Sequence, residues 1–392
     1  MSQRGNIGAH VSLPLSICAV NWRDIPPVGN RILLEASGEL PTFTGYDLHW
    51  LQSGTASLAL AMRTASVRAG VAGPPEVILP AYGCPDLVAA ANHAGLRPVL
   101  ADIGSEDPGY DLDALRAALS PRTVAVVAVN FLGIRERLEA LREILQRSPQ
   151  VTLIEDNAQW FPEHNDARLH GDAVVFSFGR GKPVSLLGGG ALLMRNSMAA
   201  SLGEAMATVM TTAAEGEVTA PPDARVRAYN LLRNPWLFPL ASRNPLLKLG
   251  RTRYRPLDRV VPLDARRREL LPANIQHYRK GPGSTVWQAV DSLVDPSRSL
   301  AKRLAGRAGR LLRYPVLCAH ARERDAWLAR LRQEGLGASA MYERPLAQIE
   351  GVTITAGQCA GAAHFAARLL TLPVHEGVDA RVLAGLNRAL AP

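Results

Sequence analysis

Four short stretches of this sequence carry residue types able to do chemistry together. Asp156 closes an apolar run, Val151-Thr-Leu-Ile-Glu-Asp156, and Ser177 lies in Phe176-Ser-Phe178. Lys182 follows five residues after that serine, in Gly179-Arg-Gly-Lys182, and Gln52-Ser-Gly-Thr-Ala56 opens a helix-forming run. Small residues at a helix start let backbone N–H groups approach an anion, and the helix dipole favours negative charge there. An amine, a carboxylate, a hydroxyl and an anion cradle would then share one site. Taken singly, each has a plainer reading. A strand-end acid usually faces a loop or caps a helix, Ser-Gly-Thr is usually an ordinary N-cap, and a lysine among glycines is usually just exposed. The order and spacing of the set weigh the other way.

In an open parallel sheet, ligands gather beyond the carboxyl ends of the strands. The elements around these residues therefore decide whether they meet. From about residue 50 to 195, strand-length apolar runs alternate with helical patterns. Ser57–Ala69, Asp86–Ala94, Leu112–Leu119 and Ile134–Gln146 read as helices. Glu76–Pro80, Pro98–Asp102, Thr123–Val129, Val151–Asp156, Ala173–Phe178 and Gly190–Met194 read as strands. Thr123–Val129 is almost wholly apolar, as a parallel strand covered on both faces should be. This rhythm predicts an α/β fold with a mostly parallel sheet, forming a large domain over residues 1–200.

Residues 201–283 carry prolines at 221, 222, 235, 239, 245 and 256 and few strand signals. They read as an irregular, partly helical insertion or linker. Order returns over 284–392, with a helix at Ser284–Val294 and a strand at Leu312–Cys318 whose proline suits a sheet edge. A helix at Glu323–Gln333, a strand at Leu369–Pro373 and a closing helix at Asp379–Leu390 complete a smaller α+β domain.

Six motifs stand in a familiar order: Ser53-Gly-Thr-Ala56, Val77-Ile-Leu-Pro80, Ile154-Glu-Asp-Asn-Ala-Gln159, Phe176-Ser-Phe178 with Lys182, Gly188-Gly-Gly190 and Leu370-Thr-Leu-Pro-Val-His375. In these the chain resembles the DegT-type sugar aminotransferases, pyridoxal-phosphate enzymes of fold type I in the aspartate-aminotransferase superfamily. The resemblance implies that Lys182 forms the Schiff base with pyridoxal 5'-phosphate and carries the proton during transfer. It implies that Asp156 pairs with the pyridinium nitrogen and keeps it protonated. Gln159 would contact the ring's hydroxyl side, and Ser177 with the Gly54-Thr55-Ala56 turn would hold the phosphate. A homodimer is implied, with an amino-acid donor, commonly glutamate, and a keto acceptor, usually a nucleotide-linked ketosugar. Two rival outcomes share the resemblance. Known dehydratases of this kind replace the lysine by histidine, so Lys182 argues against a lyase. Joint retention of Lys182, Asp156, Gln159 and Ser177 argues against a degenerate, non-enzymatic member.

The chain departs from that pattern in places. Cys84 stands where the family places a ring-stacking aromatic, with Tyr82 nearby as a substitute. Trp160-Phe161 follows Gln159, and Gly179-Arg180 precedes the lysine in place of a His or Tyr with proline. The G-x-N-x-R segment that reaches a partner subunit's phosphate is absent in that form, leaving Asn230 and Arg279 as candidates.

Bulk properties narrow the remaining classes. The net charge is +9, but the arginines, such as Arg303, Arg307, Arg310 and Arg313, are scattered without interleaved aromatics. They read as solvated helix faces, so no nucleic-acid partner is expected. Cys18, Cys84, Cys318 and Cys359 are far apart, which predicts neither a metal site nor a disulfide framework and suits a cytoplasmic protein. No run of 18 apolar residues occurs, and His10–Val20, with Pro14 and no basic leader, is not read as a signal peptide. Asn234–Leu240 and Leu246–Leu249 put apolar and aromatic residues beside Arg243, Lys248, Arg251, Arg253 and Arg255. That segment either packs on the large domain or across a dimer, or forms an interfacial surface for a membrane or a bulky acceptor.

Overall fold

The computed structural model describes residues 22–164, 168–211, 223–244, 252–354 and 359–391. His10–Val20, Pro221, Pro222, Pro245, Leu246–Leu249 and Arg251 lie outside them.

The chain runs through β1 (Tyr46–Leu51), α1 (Gly54–Ala69), β2 (Glu76–Pro80), α2 (Asp86–His93) and β3 (Arg97–Ala101). A short hairpin, β4 (Ile103–Gly104) and β5 (Asp107–Tyr110), precedes α3 (Leu112–Ala118) and β6 (Thr123–Val129). Then come α4 (Leu138–Leu145), β7 (Thr152–Asp156), β8 (Ala173–Ser177) and β9 (Gly190–Arg195). Seven of these strands form one sheet in the order β1-β9-β8-β7-β6-β2-β3. The run from β3 to β8 is parallel, and β9 alone is antiparallel to its neighbours. The expected α/β architecture is present; the sequence reading missed the β4–β5 hairpin and, within the main sheet, β1. Its alternation, Tyr46-Asp-Leu-His-Trp-Leu51, leaves most of its side chains half-buried and gives it no continuous apolar run.

Parallel strands need cover on both faces. β2 and β7 are buried along their whole length, and α1 lies against the sheet with its Ala, Ser and Leu face buried. Small side chains there let the helix sit close to the strands. α4 starts at Leu138, not Ile134, because Ile134 is drawn into a bridge with Ala308 and is buried.

Beyond the sheet lie α5 (Ala199–Val209), α6 (Asp223–Leu232), α7 (Phe238–Ser242) and α8 (Ala265–Lys280). α8 is a full 16-residue helix inside the stretch expected to be irregular. Its N-cap Asp264 accepts from the Arg267 N–H, and Leu270, Leu271, Ile275 and Tyr278 point inward. Three consecutive arginines and Pro272 hide that periodicity in the sequence. The C-terminal part holds α9 (Gly283–Leu293), α10 (Leu300–Arg303), β10 (Arg313–Leu317), α11 (Ala321–Gln333), α12 (Ala360–Arg368), β11 (Leu369–Pro373) and α13 (Ala380–Leu390). β10 pairs with β11 alone, so Pro315 sits in an edge strand.

One expectation is overturned. Arg310 and Arg313 are buried, and neither is on a helix. The segment after α10 runs inward as loop and strand, so Arg310 stacks 3.9 Å over the Tyr278 ring and Arg313 donates to backbone carbonyls. Arg303 and Arg307 pair with Glu106 and Asp107.

Candidate functional site

The carboxyl ends of β1, β7 and β8 converge with the start of α1. Ser53 caps that helix, its hydroxyl accepting the Ala56 N–H at 3.1 Å. The Ala56 N–H is therefore already used, and among the described residues none accepts that of Thr55. Gly54 lies against Ser177: a β-carbon built on Gly54 would stand 2.6 Å from Ser177 Cβ and 2.9 Å from Oγ. A β-carbon on Gly190 would stand 2.4 Å from the Ser53 carbonyl and 2.6 Å from the Gly54 nitrogen. Two glycines thus bring a helix N-terminus and the Ser177 hydroxyl together. The hydroxyl accepts only a 3.5 Å contact from the Gly179 N–H, which leaves its O–H free to donate. Small residues at a helix N-terminus beside a hydroxyl are an arrangement that can receive an anion.

Asp156 is buried at the end of β7. Its Oδ1 accepts the Ala158 N–H at 2.8 Å, and Oδ2 engages no described residue. Burial pushes its carboxyl above the usual range; the Ala158 hydrogen bond and the positive charge of Lys182 oppose the shift, and Asp86 adds to it. Lys182 follows a turn in which its N–H donates to the Gly179 carbonyl at 3.3 Å. Its charge also acts on Cys84, whose thiol burial pushes up to about 12. Cys84 is thus a neutral thiol within reach of the Lys182 charge, at the position where the resemblance expects a stacking ring.

Gln159 anchors this arrangement from below. Its Oε1 accepts the Leu132 N–H at 2.9 Å, and its Nε2 donates to the Tyr342 hydroxyl at 3.2 Å. Tyr342, Asp86 and Lys182 are the groups near enough to act on the Cys84 thiol. Tyr342 and Asp86 were not picked out from the sequence. Tyr342 comes from far along the chain, and Asp86 looks like any acid opening a helix.

Several substitutes suggested by the sequence are occupied elsewhere. Tyr82 is buried edge-on to Phe131, Tyr342 and Phe365, with its hydroxyl on the Tyr342 carbonyl at 2.8 Å. Asn230 spends its amide on both backbone groups of Ile32. Arg279 donates to the Pro162 carbonyl at 3.1 Å and lies over Phe161, while Phe161 itself packs on Phe176. On its other side, Lys182 lines a cavity with Asn30, His277, Arg310, His375 and Glu376. Among the described residues no three His, Cys, Asp or Glu side chains gather to hold a metal ion.

Residues 43–215 match the model of the DegT/DnrJ/EryC1/StrS aminotransferase family, so the resemblance seen in the motifs is borne out over that span. Over 149 residues the chain is 34% identical to a dTDP-3-amino-3,4,6-trideoxy-alpha-D-glucose transaminase of Micromonospora megalomicea, a match covering 37% of this chain and 38% of that protein. Over 109 residues it is 40% identical to an L-glutamine:2-deoxy-scyllo-inosose aminotransferase of Streptomyces kanamyceticus, covering 27% and 24%. The chain thus spans less than two-fifths of the length of these curated relatives. In three dimensions it is similar to the aminotransferase TlmJ from Streptoalloteichus hindustanus, with a TM-score of 0.63, 22% identity and 88% and 84% of the two chains covered. Helicobacter pylori PseC gives 0.65 at 16% identity, with 89% and 86% covered. The fold is that of these aminotransferases.

Proposed function

We propose that this chain is a pyridoxal-phosphate aminotransferase that moves an amino group from an amino-acid donor to the ketone of a polyhydroxylated ring, a sugar or a cyclitol. The observation that carries the reading is a buried, half-satisfied carboxylate, Asp156, within reach of the Lys182 charge, together with the glycine-built approach of Ser177 to the start of α1. The acceptor class rests on the names of the relatives, which act on aminosugars and inososes.

The residues fit the cofactor on two counts. Asp156 Oδ2 engages no described residue and faces a site where a ring N–H⁺ would relieve its burial cost. The absence of a side chain at Gly54 sets the Ser177 hydroxyl against the N-terminus of α1, where an anion is favoured. Ser177, Gly54 and Thr55 would hold the phosphate, and Ala56 contributes through its place in the helix rather than through its N–H. Gln159 keeps one amide N–H for the ring's hydroxyl side.

When bound, the cofactor supplies an electron-withdrawing ring that lets a substrate C–H bond break as a proton. Asp156 would hold the ring nitrogen in its protonated form, and Lys182 would hold the cofactor through its Nζ and serve there as the group that takes up and returns a proton. Cys84, a neutral thiol, neither competes as a nucleophile nor carries charge to the amine. The Tyr342 hydroxyl accepts from Gln159 and fixes that amide in place. A homodimer and a cytoplasmic setting complete the proposal, and light scattering of the loaded protein checks the first.

The test is direct. Protein loaded with pyridoxal phosphate and reduced with borohydride should carry the adduct on Lys182, and L-glutamate or L-glutamine alone should bleach the unreduced chromophore. An adduct on any other lysine overturns the assignment, and loss of water from the hydroxylated acceptor with no amino group transferred to it would make the protein a lyase.

A further inference from the structure

Five large apolar side chains stand exposed among the described residues: Trp22, Leu231, Leu232, Trp236 and Leu240. All belong to one neighbourhood. Asp24 donates its N–H to the Pro235 carbonyl at 2.9 Å, and the Arg243 guanidinium lies 5.3 Å over the Trp22 ring, so Trp22 joins the α6–α7 pair. α6 is pinned from inside by Val226, which is buried, and by Asn230, bonded to Ile32. At 3.6 residues per turn its opposite face carries Ala224, Ala228, Leu231 and Leu232, all exposed. Arg225 and Arg227 stand at the two margins of that ridge, exposed and without an ion pair among the described residues. Trp236 and Leu240 continue the apolar strip. Between Asp223 and Asp258 the sequence holds seven arginines and one lysine and no acid.

We propose that this face docks on an anionic lipid bilayer. An apolar ridge rimmed by arginines is the geometry of a helix lying in the membrane interface. The ridge enters the acyl boundary, and the arginine stems run along it to reach lipid phosphates. A second copy on the same face would set Arg225 and Arg227 against their own kind, which charge opposes. A bilayer supplies the opposite sign. The attachment needs no spanning helix, and among the described residues no helix is long and apolar enough to be one.

Full-length protein should co-sediment with vesicles of mixed phosphatidylglycerol and phosphatidylcholine at low ionic strength, with its tryptophan emission shifted to the blue. Pure phosphatidylcholine should retain far less. Trp236→Ser with Leu240→Ser should lower the bound fraction about tenfold. Arg225→Gln with Arg227→Gln should weaken binding and flatten its dependence on salt. Wild type left in the supernatant, equal binding to neutral vesicles, or unchanged binding in the Trp236/Leu240 variant each overturns the proposal. So does a drop in oligomer mass of that variant with vesicle binding intact, which would assign the face to a second copy.

Discussion

Gly54 packs so tightly on Ser177 that a methyl group there would stand 2.6 Å from Ser177 Cβ, well inside van der Waals contact. Gly54→Ala must therefore push the start of α1 away from β8. We expect a loss of about 1–3 kcal/mol in a thermal or urea melt and a larger loss in cofactor affinity, read by spectroscopic titration. Adding Ser177→Gly should restore the melt by removing the opposing carbon, while affinity stays low because the hydroxyl is gone. Recovery of both would show that Ser177 contributes packing alone.

The part of the site that the sequence reveals is the part built on consecutive strand ends. Asp156, Ser177 and Lys182 follow apolar runs whose period sets their direction, so strand pattern and parallel topology place them at one edge. What arrives from elsewhere is silent. Tyr342 reaches Gln159 across 183 positions, and nothing local marks it. Arg310 reads as a solvated charge, yet lies buried on Tyr278 because the loop after α10 turns inward. Ala56 illustrates a finer limit: its motif is visible, but whether its N–H faces a ligand or the Ser53 cap is decided by the first turn's geometry. α8 was hidden because charge and Pro272 interrupt an otherwise regular apolar spacing.

Asp156→Asn separates binding from chemistry. The amide can accept or donate at the ring nitrogen but cannot hold a proton there by charge, so cofactor should bind while turnover falls about 10²-fold or more. The cofactor-free variant should melt no lower than wild type at neutral pH. Burial raises the Asp156 carboxyl above its ordinary value, so its contribution favours the fold at low pH and is lost as pH rises through the folded value. A near-normal rate would reduce Asp156 to a strand-end carboxylate.

Cys84 should be chemically quiet despite its place beside a lysine. Burial pushes its thiol up to about 12, the Asp86 charge adding to the effect and the Lys182 charge opposing it. Iodoacetamide at pH 8 should leave Cys84 unmodified in the native protein and alkylate it in urea, as peptide mass spectrometry would report. Tyr342→Phe strands a Gln159 N–H, at a cost of about 1–2 kcal/mol. Rapid native labelling of wild type would mean that this half-buried thiol ionises far more easily than its surroundings imply.

His375, from the C-terminal motif, governs acid stability. Its Nε2–H donates to the Pro26 carbonyl at 2.7 Å, and its Nδ1 accepts the Gly377 N–H at 3.0 Å. A proton on Nδ1 would face another N–H in a buried site, and burial holds the imidazole down to about 4, the nearby Arg233 adding to the effect against the Pro26 hydrogen bond. In the unfolded chain the ring takes its proton near 6.5. Its stabilisation is therefore complete above that value and drains away as pH falls towards 4, by about 3 kcal/mol in all. Asp24 works in the opposite sense, because burial pushes its carboxyl up to about 6 and its contribution fades as pH rises from 3.8 to that value. The raw pH slope therefore mixes several groups, Asp24, Asp156 and His49 among them, and the difference between wild type and His375→Gln isolates one. Urea melts between pH 7 and pH 4 should show wild type ahead at neutral pH and the gap closing as pH falls. A gap that stays constant would mean that His375 already titrates normally in the folded protein.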